Sequence, residues 1–479
     1  MFTMFNKKVI TRFAPSPTGM LHIGGLRTAL YSYLLAKQHK GKFILRIEDT
    51  DRSRFVEGAV DNILDTLNKL GLSPDNEPYY QSEHLDNYKK YADKLVSSGH
   101  AYHCFCSAER LQEIRDKQIA NKQATKYDGH CRNLTDDEIK RMQQLNKPYV
   151  IRLKMPTSED ISFTDNIRGN VSINSANLDD QVIMKSDGYP TYHLAVVVDD
   201  YEMGVTHVIR GEEWLPSTPK HILIYKYLGW DIPNYAHLPL LLNTDRSKLS
   251  KRQGDVAASE YLRKGYLPAA ILNFISLLGW HPGGDREMYT LDELIKEFSL
   301  DKMNKAGAIF DLDKLNWFGL QYFQNMDASL FYNSSKEWLK NNSDISIDKY
   351  TEAVAIAAQT RISYLAELPG IFSHIFEDIS YSPELLIFKK SDKITTIKGL
   401  EKSLDKLNDV DNKEWNANII ELRLLEVVKN NNLTNGDVFW PIRVALSGKD
   451  KSESPVELLL ELGKDNSILR IKTALKNLK

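Results

Sequence analysis

The 479-residue sequence predicts an α/β domain built on a parallel sheet, with an α+β insertion and an all-α C-terminal region. Three observations carry that prediction. A strand, a glycine loop, a helix and a second strand follow one another near the N-terminus, which is a βαβ unit. All three cysteines fall in a stretch of different texture, from about Cys104 to Asp187. Past about Gly319 apolar residues recur at helical spacing and strand signals almost vanish.

In order, Lys8 to Arg12 reads as a short strand running into the loop Ala14-Pro15-Ser16-Pro17-Thr18-Gly19. Gly24 and Gly25 open a helix carrying Leu26, Leu30, Tyr33, Leu34 and Ala36 on helical spacing. Lys42 to Ile47 is an apolar strand ending in Glu48-Asp49-Thr50-Asp51. In such a unit functional residues sit at the carboxyl ends of the strands. A charged helix spans Ala108 to Ala124 and a strand Val150 to Leu153; sheet-like sequence resumes at Tyr192 to Val198 and Thr206 to Ile209. The expected division is 1–103 and 187–320 for two halves of the sheet domain, 104–186 for the insertion and 321–479 for the helical region.

Composition narrows the class. With 42% hydrophobic and 26% charged residues, the chain is neither disordered nor fibrous. Three cysteines cannot make a disulfide framework, which points to a reducing compartment. The longest apolar run, Leu267 to Trp280, is broken by Asn273 and Ser276, so no membrane span is expected. Met1 to Thr11 reads as neither signal nor transit peptide, and a cytoplasmic protein is expected. The net charge of -2 neither supports nor excludes nucleic-acid binding, since a basic groove can hide in a balanced total.

Two blocks carry chemistry. The first is Arg12-Phe13-Ala14-Pro15-Ser16-Pro17-Thr18-Gly19-Met20-Leu21-His22-Ile23-Gly24-Gly25. Its prolines stiffen the loop. Its glycines admit a ligand close to the backbone at a helix start, where N–H groups and about half a positive charge favour phosphate. His22 either donates to that phosphate as charge builds or simply packs in the turn. The second block is Lys248-Leu249-Ser250-Lys251-Arg252, followed by Gln253-Gly254. Two lysines three apart on a glycine-flanked loop suit a pyrophosphate leaving group, although such a pentapeptide alone is usually a solvated loop.

Together the blocks resemble those of the class I aminoacyl-tRNA synthetases, which bind ATP on a Rossmann fold. The Gly at position 25 and the Lys-Leu-Ser-Lys-Arg form are similar to the bacterial-type glutamyl-tRNA synthetases. So are Arg46 to Asp51, Asp187 to His193, Val208 to Trp214 and Phe439 to Gly448, which stand in that family's order along nearly the whole chain. The resemblance implies an enzyme that attaches L-glutamate to the 3′ end of tRNA(Glu) through glutamyl-adenylate, using ATP and Mg²⁺ and releasing AMP and pyrophosphate. His22, Lys248 and Lys251 are then catalytic, and Gly24, Gly25 and Ser250 join them in binding ATP. Arg12, Ala14, Ser16, Glu48, Tyr192 and Arg210 would hold glutamate. The arginines would meet its carboxylates with bidentate forks, and Glu48 would meet its ammonium. Glutaminyl-tRNA synthetases carry a cysteine in place of Arg210, so the arginine favours a charged substrate side chain. Read without the family, Arg210 could pair with Glu212 or Glu213, and Glu48 could be only an acid at a strand end.

Cys104, Cys106 and Cys131 resemble the zinc site of some family members, but the place of the fourth ligand is Asn133, a poor donor. Tyr127 matches the fourth ligand of a shorter relative; an unmetallated knuckle stands equally open. The resemblance makes the helical end an anticodon-binding region. Arg361 is a candidate tRNA contact or a solvated edge, Trp440 a base contact or core, and Arg54 a candidate contact to the acceptor end. Acceptance of tRNA(Gln) beside tRNA(Glu) stays open, and a monomer is assumed. Three other readings are a glutamine-specific enzyme, a small-molecule nucleotidyltransferase and a catalytically silent RNA-binding paralogue. Arg210, the long C-terminal region, and the intact His22 and lysines weigh against them in turn.

Overall fold

The computed structural model describes residues 8–249 and 257–479. It divides into two units, one of Met1–Arg263 with Pro268–Leu315, the other of Lys264–Leu267 with Asn316–Lys479.

The first unit is built on a seven-stranded sheet. Its elements run β1 (Ile10–Phe13), α1 (Ile23–Gln38), β2 (Lys42–Ile47), α2 (Ala59–Lys69), β3 (Tyr79–Tyr80) and α3 (Leu85–Ser97). They continue with β4 (Ala101–Cys104), α4 (Ala108–Ala120), α5 (Asp136–Gln144), β5 (Val150–Leu153), β6 (Asp160–Asp165), β7 (Gly169–Asn174) and β8 (Val182–Met184). Then come α6 (Tyr192–Glu202), β9 (His207–Gly211), α7 (Thr218–Leu228) and β10 (Asn234–Leu238). The strand order is β3-β2-β1-β9-β10-β6-β7, parallel throughout except for the β6–β7 hairpin at one edge. Helices cover both faces, so β2 from Phe43 to Ile47 is buried end to end, as a central parallel strand must be. Gly41 can only be glycine: a Cβ there would meet the Val9 carbonyl oxygen at 2.0 Å.

The strands of residues 104–186 divide between two sheets. β4, β5 and β8 make a separate three-stranded sheet, while β6 and β7 extend the main sheet through β10. The alternation along β6 and β7 is the same in either sheet, so periodicity could not assign them. The run Tyr192 to Val198, read as sheet, is the start of helix α6. Leu194 to Asp200 are all buried, and a helix apolar on every side shows no stripe to distinguish it from a buried strand.

The second unit is helical, with long helices at Ala328–Asn342, Lys393–Asn408, Ala417–Asn430, Asn435–Ser447 and Pro455–Leu478, the last interrupted at Gly463. Capping boxes start two of them, Thr434 with Asp437 and Ser454 with Glu457. Phe331, Leu400, Leu424, Ile442, Leu458 and Ile471 meet in one core, and Trp440 packs partly buried against it with its indole N–H on the Leu385 carbonyl.

Candidate active site

The carboxyl ends of β1, β2 and β9 surround a cavity of about 400 Å³. His22, Gly24, Gly25 and Lys248 line it together with Arg12, Ala14, Ser16, Glu48, Tyr192 and Arg210. The residues expected to bind ATP and glutamate, so far as they are described, therefore share one space.

At one end stands the start of α1. His22 is its N-cap: Nδ1 accepts the Gly25 N–H at 3.1 Å. A lone pair on Nδ1 leaves the proton of a neutral imidazole on Nε2, which makes Nε2 the donor. A Cβ on Gly24 would lie 3.1 Å from that Nδ1, so glycine there keeps the cap undisturbed. Buried Arg27 on the same helix donates to the carbonyls of Leu278 and Pro239, and the Tyr31 hydroxyl to those of Ser276 and Leu278. Lys248 is exposed, and Leu249 beside it donates to the Leu241 carbonyl at 3.0 Å. Ser250, Lys251 and Arg252 lie outside the described residues; Ala258, beyond them, donates to the Leu21 carbonyl at 2.8 Å.

At the other end are buried charges. Arg46, fully buried, donates from Nη1 to Asp200 at 2.7 Å and from Nη2 to Glu48 at 3.2 Å. Arg12 gives Nε to Asp200 at 3.2 Å and Nη1 to the Ile209 carbonyl at 3.1 Å, leaving its Nη2 outside these bonds. Burial pushes the Glu48 pKa up, and Arg46 and Arg12 only partly offset it. Burial also acts on Asp200, but there Arg12 and Arg46 prevail and hold the carboxyl below its ordinary value.

Arg210 is bound differently. Its Nε donates to His237 Nε2 at 3.0 Å, its Nη1 to the Tyr192 hydroxyl at 3.1 Å and to His221 Nδ1 at 3.2 Å, and its Nη2 to Thr218 Oγ1 at 2.9 Å. Its guanidinium also lies 5.2 Å from the centre of the Tyr235 ring. Among the described residues no carboxylate hydrogen-bonds to it: Glu212 pairs with Arg168 instead. A buried cation held only by neutral groups calls for an anionic ligand. Four of its five N–H groups are used, so the expected open fork is absent; one Nη2 hydrogen and the Tyr192 hydroxyl hydrogen remain. The Trp214 ring lies 4.1 Å from that of Tyr192, tilted by 33°, and completes the wall.

Sequence reasoning missed Thr218, His221, His237 and Asp165. A lone histidine on an apolar strand carries no signal that separates it from core.

The cysteine cluster lies apart from this cavity. The three sulfurs are within 4.8 Å of one another, with Cys106 and Cys131 at 3.6 Å. The Tyr127 hydroxyl is 3.4 Å from the Cys104 sulfur and 3.5 Å from that of Cys106. Zinc bonds of about 2.3 Å to sulfur and 2.0 Å to oxygen in a tetrahedron imply S–S spacings near 3.8 Å and S–O spacings near 3.5 Å, so the set has the right size. Burial raises the Cys104 pKa, but the Tyr127 hydrogen bond and Arg152 outweigh it; burial holds that of Cys106 up, at about 12.

Two other candidates stand outside the cavity. Arg54 is exposed and pairs with Asp51 at 2.7 Å, a surface contact that is readily exchanged. Arg361 follows the helix Glu352–Gln359 and is ion-paired. Glu453, Glu457 and Glu461 lie 3.4, 3.3 and 3.0 Å from its guanidinium. These pairs hold Arg361, partly exposed, within the helical unit.

A parallel sheet whose carboxyl edge joins a helix N-terminus, an exposed lysine and buried cations suits a nucleotide-binding enzyme that acts on a small anion. The chain matches tRNA synthetases class I (E and Q), catalytic domain, over residues 8–317, and the anticodon binding domain over residues 330–475. It belongs to the class I tRNA synthetases of the E and Q group. It is similar to the glutamate–tRNA ligase of Alkaliphilus metalliredigens (strain QYMF), 43% identical over 97% of this chain and 98% of that one. It is also similar to that of Clostridium botulinum (strain Hall / ATCC 3502 / NCTC 13319 / Type A), 44% identical over 98% and 99%. Among solved structures, a glutamate tRNA ligase from Elizabethkingia meningosepticum CCUG26117 in complex with its amino acid superposes with a TM-score of 0.88 at 37% identity, covering 99% of this chain and 100% of that chain. The glutamate–tRNA synthetase from Elizabethkingia anophelis gives 0.87 at 38% identity, covering 98% and 100%.

Proposed function

We infer that the chain is a glutamate–tRNA ligase, which joins L-glutamate to the 3′ end of tRNA(Glu) at the expense of ATP. The observation that carries this reading is Arg210, a buried guanidinium without a carboxylate partner in the wall of a cavity whose other end is a capped helix N-terminus.

The chemistry follows from the two ends. ATP enters as its Mg²⁺ complex with its phosphates over Gly24, Gly25 and the start of α1. An oxygen of the glutamate α-carboxylate attacks the α-phosphorus; the bond to the β-phosphate oxygen breaks and pyrophosphate leaves. The His22 Nε2–H meets charge building on the α-phosphate, and Lys248 with Lys251 meets it on the leaving group. A ribose hydroxyl of the tRNA terminus then attacks the glutamyl carbonyl, and AMP departs. No protein nucleophile is required, because positioning and charge stabilisation carry the barrier reduction. Glu48 and Ser16 receive the substrate ammonium, Arg12 Nη2 a carboxylate, and Arg210 with Tyr192 the side-chain carboxylate. A carboxamide would leave Arg210 uncompensated, and sites built around a polar group discriminate by about 10⁴–10⁵ for that reason.

The cysteine cluster fits a resident zinc ion held by Cys104, Cys106, Cys131 and Tyr127, which would pin β4 to the segment carrying Cys131 and take no part in the reaction. No helix of the described residues is long and apolar enough to cross a membrane. The chain works as a monomer in the cytoplasm.

The test is aminoacylation with labelled glutamate and labelled glutamine, each against tRNA(Glu) and tRNA(Gln). Glutamate on tRNA(Glu) alone identifies a discriminating enzyme, and glutamate on both a non-discriminating one. Glutamine transfer overturns the reading of Arg210, and tRNA binding without transfer supports a silent paralogue.

A further inference from the structure

Behind Arg210, outside the cavity, runs a buried relay. β9 and β10 pair in parallel with Arg210 directly beside His237, so both side chains leave the sheet on one face. His237 Nε2 accepts Arg210 Nε–H at 3.0 Å, and His237 Nδ1 lies 2.6 Å from Asp165 Oδ2 at the end of β6. Both His237 and Asp165 are buried.

We propose that Asp165 and His237 are positioning residues for substrate specificity: Asp165 holds His237 in its Nδ1–H tautomer, so that Nε2 stays an acceptor and fixes the Arg210 guanidinium against the substrate carboxylate. The proposal rests on the reading of Arg210 given above. A carboxylate only accepts, so the proton between Asp165 and His237 belongs on Nδ1 and the lone pair on Nε2. Every other contact agrees. Thr218 Oγ1, 3.2 Å from Nε2, takes Arg210 Nη2–H and has its own hydrogen for Nε2 or for the Trp214 carbonyl. His221 accepts Arg210 Nη1–H on Nδ1, which leaves its Nε2–H for His193 Nδ1 at 3.1 Å. Burial, and then Arg210, keep the His237 pKa below its ordinary value despite Asp165, so the ring is neutral at neutral pH. With the other tautomer, Nε2–H would face Arg210 Nε–H. The guanidinium would then lose its Nε acceptor and have to turn, and its contacts to Tyr192, His221 and Thr218, which leave one Nη2–H for the ligand, would shift with it.

Asp165 also has a structural duty, since its Oδ1 accepts the N–H groups of Ile167 at 2.9 Å and Arg168 at 2.8 Å. The variant Asp165→Asn keeps the turn and reverses the contact to His237, whose main-chain N–H also donates to Oδ2 at 3.1 Å, so the comparison with the double variant separates the tautomer from that lost backbone bond. The asparagine oxygen keeps the turn, while its NH₂ opposes His237 Nδ1 and forces the proton to Nε2. His237→Gln removes the tautomer question and can still offer an oxygen to Arg210. The experiment measures KM and kcat for glutamate, KM for ATP, glutamine charging and thermal stability in the full-length protein, wild type, both single variants and the double variant. Asp165→Asn should raise the glutamate KM by about 10-fold or more and lower the preference over glutamine, with the ATP KM within about 2-fold. The double variant should return to the level of His237→Gln. An unchanged glutamate KM in Asp165→Asn overturns the proposal, as does a double variant no better than Asp165→Asn. If wild type transfers no glutamate, the parent reading falls and the relay with it.

Discussion

Nη1 of Arg46 donates to Oδ1 of Asp200 at 2.7 Å, and the same oxygen takes Nε of Arg12 at 3.2 Å. One carboxylate on α6 thus binds two strands of the sheet beside the cavity. Asp200→Asn leaves two buried guanidinium groups short of their shared counter-charge, and should cost about 3–5 kcal/mol of stability in denaturant unfolding. The sign with pH follows. Asp200 titrates below its ordinary value in the folded state, so its contribution is complete above the ordinary aspartate range. It is lost as pH falls through the folded value. The wild type should lose this stability on acidification and Asp200→Asn should not.

Arg210→Ala should act on glutamate alone. Removing a charged hydrogen bond costs about 1.5–3 kcal/mol, so kcat/KM for glutamate should fall by about 10- to 150-fold, with ATP KM nearly unchanged. Steady-state charging over a range of glutamate concentrations reads this directly.

His22 has two jobs that substitution can part. His22→Ala removes both the helix cap and the Nε2 donor, and should lower kcat by about 100- to 1000-fold. His22→Asn restores a cap but not the reach to a phosphate, so it should recover stability of about 1 kcal/mol without recovering kcat.

The metal reading is checked on purified protein by elemental analysis. About one zinc per chain is expected; Tyr127→Phe keeps the ring under Arg152, 4.0 Å from its centre, and should lower the zinc content. No zinc in wild type removes the site.

Arg361→Ala should move stability, not recognition. It leaves the buried Glu461 with His374 at 3.1 Å as its ion-pair partner among the described residues, and should cost about 1–3 kcal/mol while the tRNA KM holds. A raised tRNA KM at unchanged stability would return Arg361 to the RNA surface.

The first half of the site was legible because its residues lie at strand ends and in a loop whose prolines and glycines announce it. Arg12, Glu48, His22, Gly24 and Gly25 all belong to one βαβ unit. The relay was not. His237 sits in an apolar strand and Asp165 at the end of another, and the polar use of either depends on what is packed beside it. Helix α6 was misread for a related reason: with no solvent-facing side, Leu194 to Val198 carry no periodicity.

By itself the sequence determined the kinds of chemistry and their order: phosphate-cradling glycines, lysines for a leaving group, arginines for an anion and a helical domain to follow. Only the tertiary structure decided the state in which each group is held. It made His22 a cap with its donor on Nε2, used four of the five Arg210 protons, and paired Arg361 with three glutamates. The reason is that a hydrogen bond belongs to a pair. The partners that decide Arg210 and His237 lie 27 and 72 residues away along the chain, adjacent only once the strands have paired.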